Sequence, residues 1–303
     1  MTITVILCTH NRCQGLSTAL ASVACSSLPA GVEREVLVVD NNSTDQTRQV
    51  VADFCARFPG HFRYLFEPQP GKSYALNSGI REARGEVLAF LDDDVTVDRL
   101  WLWNLTRALD GGDWAGAGGR IVLQWPGSLP RWLAIDGEYA RHPFPGFDHG
   151  DKAKELAAPP FGTNMAFRKT MFEKYGGFRT DLGPSANREI PPHSEDTEFG
   201  RRLLSNGERL WYEPSAIVYH PVAAERIQKP YFLSWRFDYG RADARLFRTH
   251  PFRAFGGLVA WTLRWVTAVE PKQRFYDRVV VWENAGRLSE LYRQWRQRSS
   301  ARL

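Results

Sequence analysis

Hydrophobic and polar positions along the first 100 residues follow a regular order of strand-like and helix-like segments. Short apolar runs typical of buried strands occur at residues 4–7, 35–40, 63–66 and 86–91. Between them, apolar residues recur at helical spacing, as over 16–23 and 73–83. Ser43 and Gln46 have the spacing of a capping box that would open the second helix. This alternation predicts an α/β fold whose parallel sheet carries helices on both faces.

The pattern changes in the second half of the chain. Periodicity is lost from Gln124 to Pro160, where six prolines interrupt a segment rich in glycine and aromatic residues. Such a segment predicts a long functional loop. Strand-like runs return at 164–168 and 216–220, and a helix is predicted after Ser194.

The chain becomes helical, basic and aromatic after Lys229 and stays so to its end. We therefore divide it at Glu225 into a domain of residues 1–225 and a helical C-terminal region of residues 226–303. The first domain is expected to have two halves, 1–120 and 121–225.

Composition is that of a soluble globular protein, with 43% hydrophobic and 24% charged residues, which excludes disordered and collagen-like classes. The net charge of +5 is unevenly distributed. Residues 226–303 hold 16 lysines and arginines against six acidic residues, a net of +10, so residues 1–225 carry −5. The same C-terminal region holds five of the 11 tryptophans. A basic and aromatic region favours an anionic surface as partner.

The N-terminus and the cysteines indicate in which cellular compartment the protein is expected. Met1 leads directly into the first apolar run, so we expect no signal peptide. The longest apolar stretch of the C-terminal region, 254–269, is shorter than a membrane span and contains Arg264. All four cysteines lie in the first 55 residues without metal-ligand spacing, which favours a reduced, cytoplasmic protein.

Three consecutive aspartates, Asp92, Asp93 and Asp94, follow the fourth apolar run. Like charges at one sheet edge repel, so they are best tolerated where a cation binds. Side chains one apart on extended chain project to the same side, which would let Asp92 and Asp94 face one ion. A solvated acidic turn is the alternative, and for the triplet alone the two interpretations have equal weight.

A second acidic group, Glu195 to Glu198, lies at a predicted helix start. Acidic residues there complement the helix dipole, which is the structural interpretation. The functional one is a carboxylate that acts as general base. His220 is either a packed structural histidine or, given an ion at the aspartates, a further ligand. Lys72 lacks the glycine pattern of a P-loop, and neither a dinucleotide fingerprint nor a nucleophile elbow is present.

In their order along the chain, these segments resemble the family 2 glycosyltransferases of the GT-A fold. The resemblance covers residues 2–222 and rests on seven motifs, at 9–12, 38–45, 71–77, 91–94, 162–168, 195–196 and 219–220. It implies a mixed, Rossmann-like sheet flanked by helices, with a nucleotide-binding half over 1–120 and an acceptor-binding half over 121–225. Asn41 and Asn42 depart from the family, which more often has an acidic residue and a glycine there.

The resemblance also implies a reaction. A sugar would pass, with inversion, from a nucleotide-diphospho-sugar, most often a UDP-sugar, to an acceptor hydroxyl in polysaccharide or glycolipid biosynthesis. Asp196 would be the catalytic base with Glu195 as its neighbour, and Mn²⁺ or Mg²⁺ would be the cofactor, bound by Asp94, Asp92 and His220. Gly162 and Asn164 would contact the donor or acceptor sugar. The nucleotide would be bound by Thr9, Asn11, Arg12, Asp40, Lys72, Asp92 and Asp93.

Two interpretations of residues 226–303 are open. These helices either pack on the catalytic domain with a solvated basic face, or contact an anionic membrane from the cytoplasmic side as a peripheral element. We expect no nucleic-acid partner, since no recognised module accompanies the charge. The membrane-facing mixture would comprise Phe252, Phe255, Leu258, Val259, Trp261, Leu263, Trp265 and Val266 beside Arg245, Arg248, Arg253 and Arg264.

Two other functions compete with glycosyl transfer. A nucleotidyltransferase that makes nucleotide-sugars uses a related sheet, but its glycine-rich phosphate loop is missing from this sequence. A non-catalytic sugar or nucleotide binding protein is the other alternative, and the retained Asp92, Asp94 and Asp196 argue against it.

Overall fold

The computed structural model describes residues 1–110, 113–140, 143–247 and 249–300, and these form two compact units. The first unit comprises Met1–Gln124, Pro145–Arg188 and Glu195–Pro221. The second comprises Trp125–Phe144, Glu189–Ser194 and the chain from Val222 onward. The unit that carries the sheet ends at Pro221, close to Glu225, and the predicted division there stays a prediction. Two internal segments also join the second unit, which a linear division of the sequence does not anticipate.

The first unit is built on one sheet, which has nine strands in the part of the chain described. The strands are β1 (Thr2–Thr9), β2 (Glu33–Asp40), β3 (Phe62–Phe66), β4 (Val87–Leu91), β5 (Thr96–Val97), β6 (Trp114–Gln124), β7 (Lys154–Glu155), β8 (Asn164–Arg168) and β9 (Arg209–Pro221). Their order is β3-β2-β1-β4-β8-β6-β9-β5, with β7 paired to β9. The first four strands in this order run parallel, as predicted, and β8 runs antiparallel to β4 and β6. The sheet is therefore mixed.

In the described part of the first unit, six helices cover the two faces of the sheet: α1 (Cys13–Ala24), α2 (Thr47–Arg57), α3 (Lys72–Glu82), α4 (Trp101–Arg107), α5 (Lys169–Tyr175) and α6 (Glu195–Ser205). Side chains alternate between the faces along each strand. In β1, Val5 and Leu7 pack in a core with α1, α2 and α4, whereas Ile6 packs in a second core with α3, α5 and α6. The predicted helices on both faces are thus confirmed.

The predicted capping box is wrong, because α2 begins at Thr47 and Ser43 does not cap it. Asp45 instead accepts hydrogen bonds from the first residues of α1 and α2. Its Oδ1 accepts hydrogen bonds from the Thr47 amide and hydroxyl at 3.0 and 2.6 Å, and its Oδ2 accepts the Cys13 amide at 2.9 Å. These bonds, the Thr47 hydroxyl foremost, lower the pKa of Asp45 to about 2. One carboxylate thereby stabilises the first residues of both α1 and α2.

The second unit contains a 3₁₀ turn at Ala224–Arg226 and the helices α7 (Lys229–Leu246), α8 (Pro251–Thr267) and α9 (Pro271–Ser300), which confirms the predicted helical extension. The long helix α9 packs against both α7 and α8. Glycines let α7 and α9 approach closely, since a Cβ at Gly240 would overlap the Glu283 carbonyl oxygen. Across the ranges described, we find no helix with the length and apolarity needed to cross a bilayer.

Candidate functional site

Polar side chains meet at the carboxyl ends of three adjacent parallel strands. In the ladder between β1 and β2, Thr9 is paired with Asp40, and in the ladder between β1 and β4, Leu7 is paired with Leu91, which precedes Asp92. Ligands of open α/β sheets bind at this edge. The structure therefore brings the predicted polar residues together.

Lys72, the first residue of α3, links two acidic groups that are distant in sequence. Its Nζ lies 2.8 Å from Asp92 Oδ1 and 3.6 Å from Glu195 Oε1. The Thr163 hydroxyl donates to the other oxygen of Asp92 at 2.6 Å. Both oxygens of Asp92 thus contact protein side chains. The metal and nucleotide contacts predicted for Asp92 stay predictions.

The two carboxyls beside Lys72 differ in their protonation. Burial opposes the charge of Asp92, but the close Lys72 ammonium and its hydrogen bond outweigh burial and lower the pKa of Asp92 to about 2. Burial also dominates at Glu195, where the more distant ammonium offsets it only in part and Asp196 adds repulsion. The pKa of Glu195 is consequently raised to about 7. The shared ammonium keeps Asp92 ionised while Glu195 titrates near neutrality.

Asp196 and Glu195 are adjacent at the start of α6, but their side chains differ in burial and in hydrogen-bond partners. Glu195 is 5% exposed, whereas Asp196 is half-buried. Asp196 Oδ2 accepts the Gly162 amide at 2.6 Å, and its Oδ1 accepts the Thr197 amide at 2.6 Å. The carboxylate is thus held by two amides and is partly open to solvent, and its role as general base stays a prediction. Gly162 thus lies against the predicted base.

Arg12 bridges the other two aspartates. Its Nη1 lies 3.1 Å from Asp93 Oδ1 and 2.6 Å from Asp94 Oδ2. Asp93 is 6% exposed, and burial raises its pKa to about 6, with the neighbouring aspartates adding to the shift. The second oxygen of Asp94 faces His220, whose Nε2 lies 3.8 Å from Asp94 Oδ1.

His220 and Asp94 have the chemistry of a divalent-cation site. The Nδ1 of His220 lies 2.9 Å from the Pro221 carbonyl oxygen, to which it can donate only as Nδ1–H. That tautomer leaves the Nε2 lone pair directed at Asp94 and available to a metal. Among the described residues, no group of three or more His, Cys, Asp and Glu side chains is arranged to hold an ion. A carboxylate completed by substrate phosphates is nevertheless typical of Mg²⁺ and Mn²⁺ sites, and an imidazole is a ligand of transition-metal ions, so Asp94 with His220 fits a divalent ion that also binds phosphate.

The loops after β1 and β2 hold each other in place. Asp40 is 2% exposed, and its two oxygens accept the Ser43 amide at 2.9 Å and the Tyr64 hydroxyl at 2.8 Å. Asn11 Oδ1 accepts the Thr44 amide at 2.7 Å. Thr9 is buried at the end of β1. The structure thus places Thr9, Asn11 and Asp40 at the predicted edge, and their contacts with a nucleotide stay predictions.

Asn41 and Asn42, the departures from the family pattern, fix the loop that leads into α3. Asn41 donates to the Glu67 and Gln69 carbonyls and accepts the Gly71 amide at 2.7 Å. Asn42 adopts φ +66°, a left-handed conformation that asparagine tolerates and glycine favours. Sequence reasoning missed this role, although the replacement of a glycine by asparagine was a usable indication.

Asn164 serves the fold, and a sugar contact by its side chain does not agree with the structure. The side chain is 0% exposed. Its Oδ1 accepts the Trp101 indole N–H at 2.8 Å, and its Nδ2 donates to the Arg120 and Ala216 carbonyls at 2.9 Å. The amide therefore joins β8 to α4, β6 and β9, and it presents no surface to a ligand.

Comparisons with known proteins agree with this geometry. The family model described as glycosyl transferase family 2 matches residues 4–176. The succinoglycan biosynthesis protein ExoM of Rhizobium meliloti is 27% identical over 85% of this chain and 78% of its own length. A glucosyl-dolichyl phosphate glucuronosyltransferase of Haloferax volcanii is 26% identical over 75% of this chain and 72% of its own.

A solved structure shows the same fold. The mannosyltransferase PcManGT from Pyrobaculum calidifontis, in complex with GDP-Man and Mn²⁺, superposes with a TM-score of 0.65 at 18% identity, covering 96% of this chain and 87% of its own. The predicted GT-A architecture with its helical extension is confirmed, and transfer of a glycosyl group is favoured over the nucleotidyltransferase alternative. With more than half of its length matched by the family model, the chain belongs to the family 2 glycosyltransferases.

Proposed function

We propose that this glycosyltransferase moves a sugar from a UDP-sugar to an acceptor hydroxyl with inversion, in polysaccharide or glycolipid biosynthesis. The observation that carries the proposal is the arrangement of two groups of side chains at one sheet edge. Asp94 and His220, which we propose as cation ligands, lie 3.8 Å apart, and the carboxylate of Asp196, which we propose as the base, is held by the Gly162 amide. The network of Asp92, Lys72 and Glu195 connects the two groups.

In this mechanism Asp196 accepts the proton of the acceptor hydroxyl as the oxygen attacks the anomeric carbon. The amides of Gly162 and Thr197 hold the carboxylate in a fixed orientation. Glu195 orients Lys72, whose ammonium lies where it can offset phosphate charge on the donor. Attack from the face opposite the nucleoside diphosphate gives inversion.

Asp94 and His220 would hold Mn²⁺ or Mg²⁺ together with phosphate oxygens of the donor. When bound, the ion supplies Lewis-acid stabilisation of the charge on the leaving diphosphate. Arg12 contacts Asp94 on its other oxygen and would lie beside the nucleotide. Asp40, Asn11 and Thr9 complete the proposed nucleotide site.

The test is turnover of a panel of UDP-sugars, with GDP-mannose included because the structural neighbour binds it, in the presence of Mn²⁺ or Mg²⁺. We expect Asp196→Asn to reduce kcat by about 10²–10⁴-fold, the range of general base catalysis, with KM for the donor little changed. Asp94→Ala is expected to abolish metal-dependent turnover. Asp53→Asn, an exposed change of the same kind on α2, is the control. Full activity in Asp196→Asn would refute the base assignment.

For the acceptor, we propose a saccharide or a lipid-linked saccharide that is reached from the inner face of the cell membrane by peripheral attachment of the C-terminal region. Support comes from the basic charge of residues 226–303 and from the Haloferax relative, which by its name acts on a glucosyl-dolichyl phosphate. Fractionation of cells that express the full chain tests the location. A chain found wholly in the cytosolic fraction at low salt would contradict it.

A further inference from the structure

The basic charge of the second unit is used in two different ways. On α7 and α9, arginines pair with carboxylates inside the unit. Arg287 lies 2.6 Å from Asp243 and from Glu283, and Arg245 lies 2.7 Å from Glu290. These acidic partners are largely buried. In this part of the unit the arginines therefore pair with carboxylates of neighbouring helices, and they do not form the solvated basic face that was one of the two interpretations.

Helix α8 differs, because its long apolar side chains face outward. Among its residues only Ala254 is buried. Phe252 is 79% exposed, Leu263 is 64% exposed and Val266 is 68% exposed. With Phe255 and Val259 they recur at three- and four-residue spacing, so they form one stripe along the helix, which we name the α8 face. An apolar stripe of this length marks an interaction surface.

A cleft of about 380 Å³ opens where α8 ends and α9 begins, and we name it the cationic cleft. Lys229, Arg274 and Arg278 line it, and no acidic side chain is found among its described lining residues. Trp132, Trp265 and Phe275 form aromatic walls.

The cations of the cleft are not neutralised by the protein. Within the described ranges, none of Lys229, Arg274 and Arg278 has a carboxylate within 4.0 Å. Lys229 Nζ lies 5.6 Å from the ring centre of Trp132, and the Arg278 guanidinium lies 5.3 Å from that of Trp265. The buried Nε of Arg278 has no hydrogen-bond partner in the structure. Three positive charges, two of them over aromatic rings, with unused donors, are suited to an anionic group.

We propose that the cationic cleft binds the phosphate of an anionic lipid headgroup while the α8 face lies in the interfacial layer of the same membrane. Two observations favour a lipid over a soluble anion. Val269, on the rim of the cleft, is 93% exposed and follows directly on the α8 face, so apolar and cationic surfaces are continuous. Trp265 belongs to both α8 and the cleft wall, and tryptophan is typical of the headgroup level.

Arg253, which is exposed, adds positive charge on α8, whereas the charge of Arg264 is offset by the buried Asp277 at 3.6 Å. The α8 face and the cationic cleft thus combine the two signals that stable peripheral binding requires, buried apolar area and attraction to anionic lipid. Arg248, which the sequence placed in the same group, lies outside the described residues. The inference rests on the peripheral membrane role proposed above and names the surface and the lipid chemistry that perform it.

The test is co-sedimentation of the full chain with vesicles of phosphatidylcholine alone or with 30 mol% phosphatidylglycerol, in the absence of nucleotide. Lys229 and Arg274 are both exposed, so Lys229→Gln/Arg274→Gln is expected to fold normally. Each basic residue near an anionic surface strengthens membrane binding by about five- to tenfold. We therefore expect the double variant to bind anionic vesicles about 30-fold more weakly. Leu263→Gln/Val266→Gln is expected to weaken binding to a similar extent.

The matched control is Arg84→Gln/Lys152→Gln, which removes two exposed charges from the first unit. An equal loss of binding in this control would overturn the proposal, since net charge alone would then explain it. Binding of inorganic phosphate or pyrophosphate in calorimetry without vesicle binding would show a soluble anion site and overturn it as well. A change of oligomeric state in the Leu263→Gln/Val266→Gln variant, with unchanged vesicle binding, would show that a second copy covers the α8 face.

Vesicle binding needs no catalysis, so its failure is distinct from failure of the proposed transfer reaction. Conversely, we expect both double variants to keep wild-type hydrolysis or transfer of the donor with a water-soluble acceptor. Loss of that soluble activity in a variant that still binds vesicles would contradict the separate roles assigned to the two units.

Discussion

Replacing Lys72 by methionine removes the ammonium between Asp92 and Glu195 while keeping a side chain of similar length. Its Nζ lies 2.8 Å from one carboxylate and 3.6 Å from the other, and the Lys72 side chain is 25% exposed. Breaking a buried ion pair from one side costs about 3–5 kcal/mol, because the partner charge stays buried and unpaired. Solvent screens part of this interaction, so we expect the free energy of unfolding to fall by about 2–4 kcal/mol at pH 8.

The loss has a defined pH dependence. Burial raises the pKa of Glu195 to about 7, above the value of about 4.3 for the unfolded chain. A carboxyl with a raised pKa makes its full contribution to stability below the unfolded-state value, and that contribution is lost as the pH rises through the folded-state value. At pH 5.5 Glu195 is already protonated, and only the pair with Asp92 is broken. The loss in Lys72→Met should therefore be smaller at pH 5.5 than at pH 8, by about 1 kcal/mol.

Urea denaturation at the two pH values, without nucleotide or metal, measures both effects. Lys174→Met is the control, because its ammonium is 60% exposed and pairs with Glu208 at the surface, so its midpoint should not move. If Lys72→Met fails to fold at pH 8, adding Asp92→Asn should restore folding by removing the unpaired charge. A loss below about 1 kcal/mol, or an equal loss at both pH values, would refute the electrostatic account of this network.

Three further predictions concern stability. Glu195→Gln should raise the free energy of unfolding by about 2 kcal/mol at pH 8 and leave it unchanged near pH 4. The reason is that the raised pKa of Glu195 makes its ionised form unfavourable in the folded protein. Urea titration at both pH values checks the sign of the change. Asn164→Ala should cost about 3 kcal/mol or more, because one indole donor and two carbonyls lose their partner; an unchanged thermal midpoint would contradict this. Gly119→Ala should lower the free energy of unfolding by about 1–3 kcal/mol, because the new Cβ would overlap the Ala216 carbonyl oxygen. Gly256→Ala, in open space on α8, should instead raise it by about 0.5–1 kcal/mol. Calorimetry measures both changes.

The strands and helices of the first 120 residues were predictable because their apolar periodicity is strong and local. The mixed sheet was harder to predict, because the antiparallel pairing of β8 with β4 joins residues that are far apart in sequence. Val87 pairs with Arg168, 81 positions away, and Leu91 pairs with Asn164, 73 positions away. Helix capping by Asp45 was missed for a similar reason. Its second partner, Cys13, lies 32 residues away, and a rule of local spacing cannot see it.

Charge counts located the basic region correctly but could not show which groups its basic side chains contact. The arginines of α7 and α9 pair with buried carboxylates, which the sequence cannot reveal because the partners lie on different helices. Contacts between residues distant in sequence also explain why the two units are not continuous in sequence. Trp132 belongs to 125–144 in sequence but packs its ring against Phe232 and Phe275 of the second unit.

The clearest gain from the structure is the distinction between Glu195 and Asp196. As neighbours in an acidic helix start, they are not distinguished by the local pattern, and only the family resemblance assigns the base role to Asp196. The turn at Ser194, with φ +74°, begins α6 so that Glu195 is buried against Lys72 and Asp196 meets the Gly162 amide. A base must reach an acceptor hydroxyl, and the half-buried Asp196 is more accessible than the 5% exposed Glu195, which supports the proposal of Asp196 as the base. The pKa of about 7 at Glu195 has burial as its main cause and does not by itself identify a base.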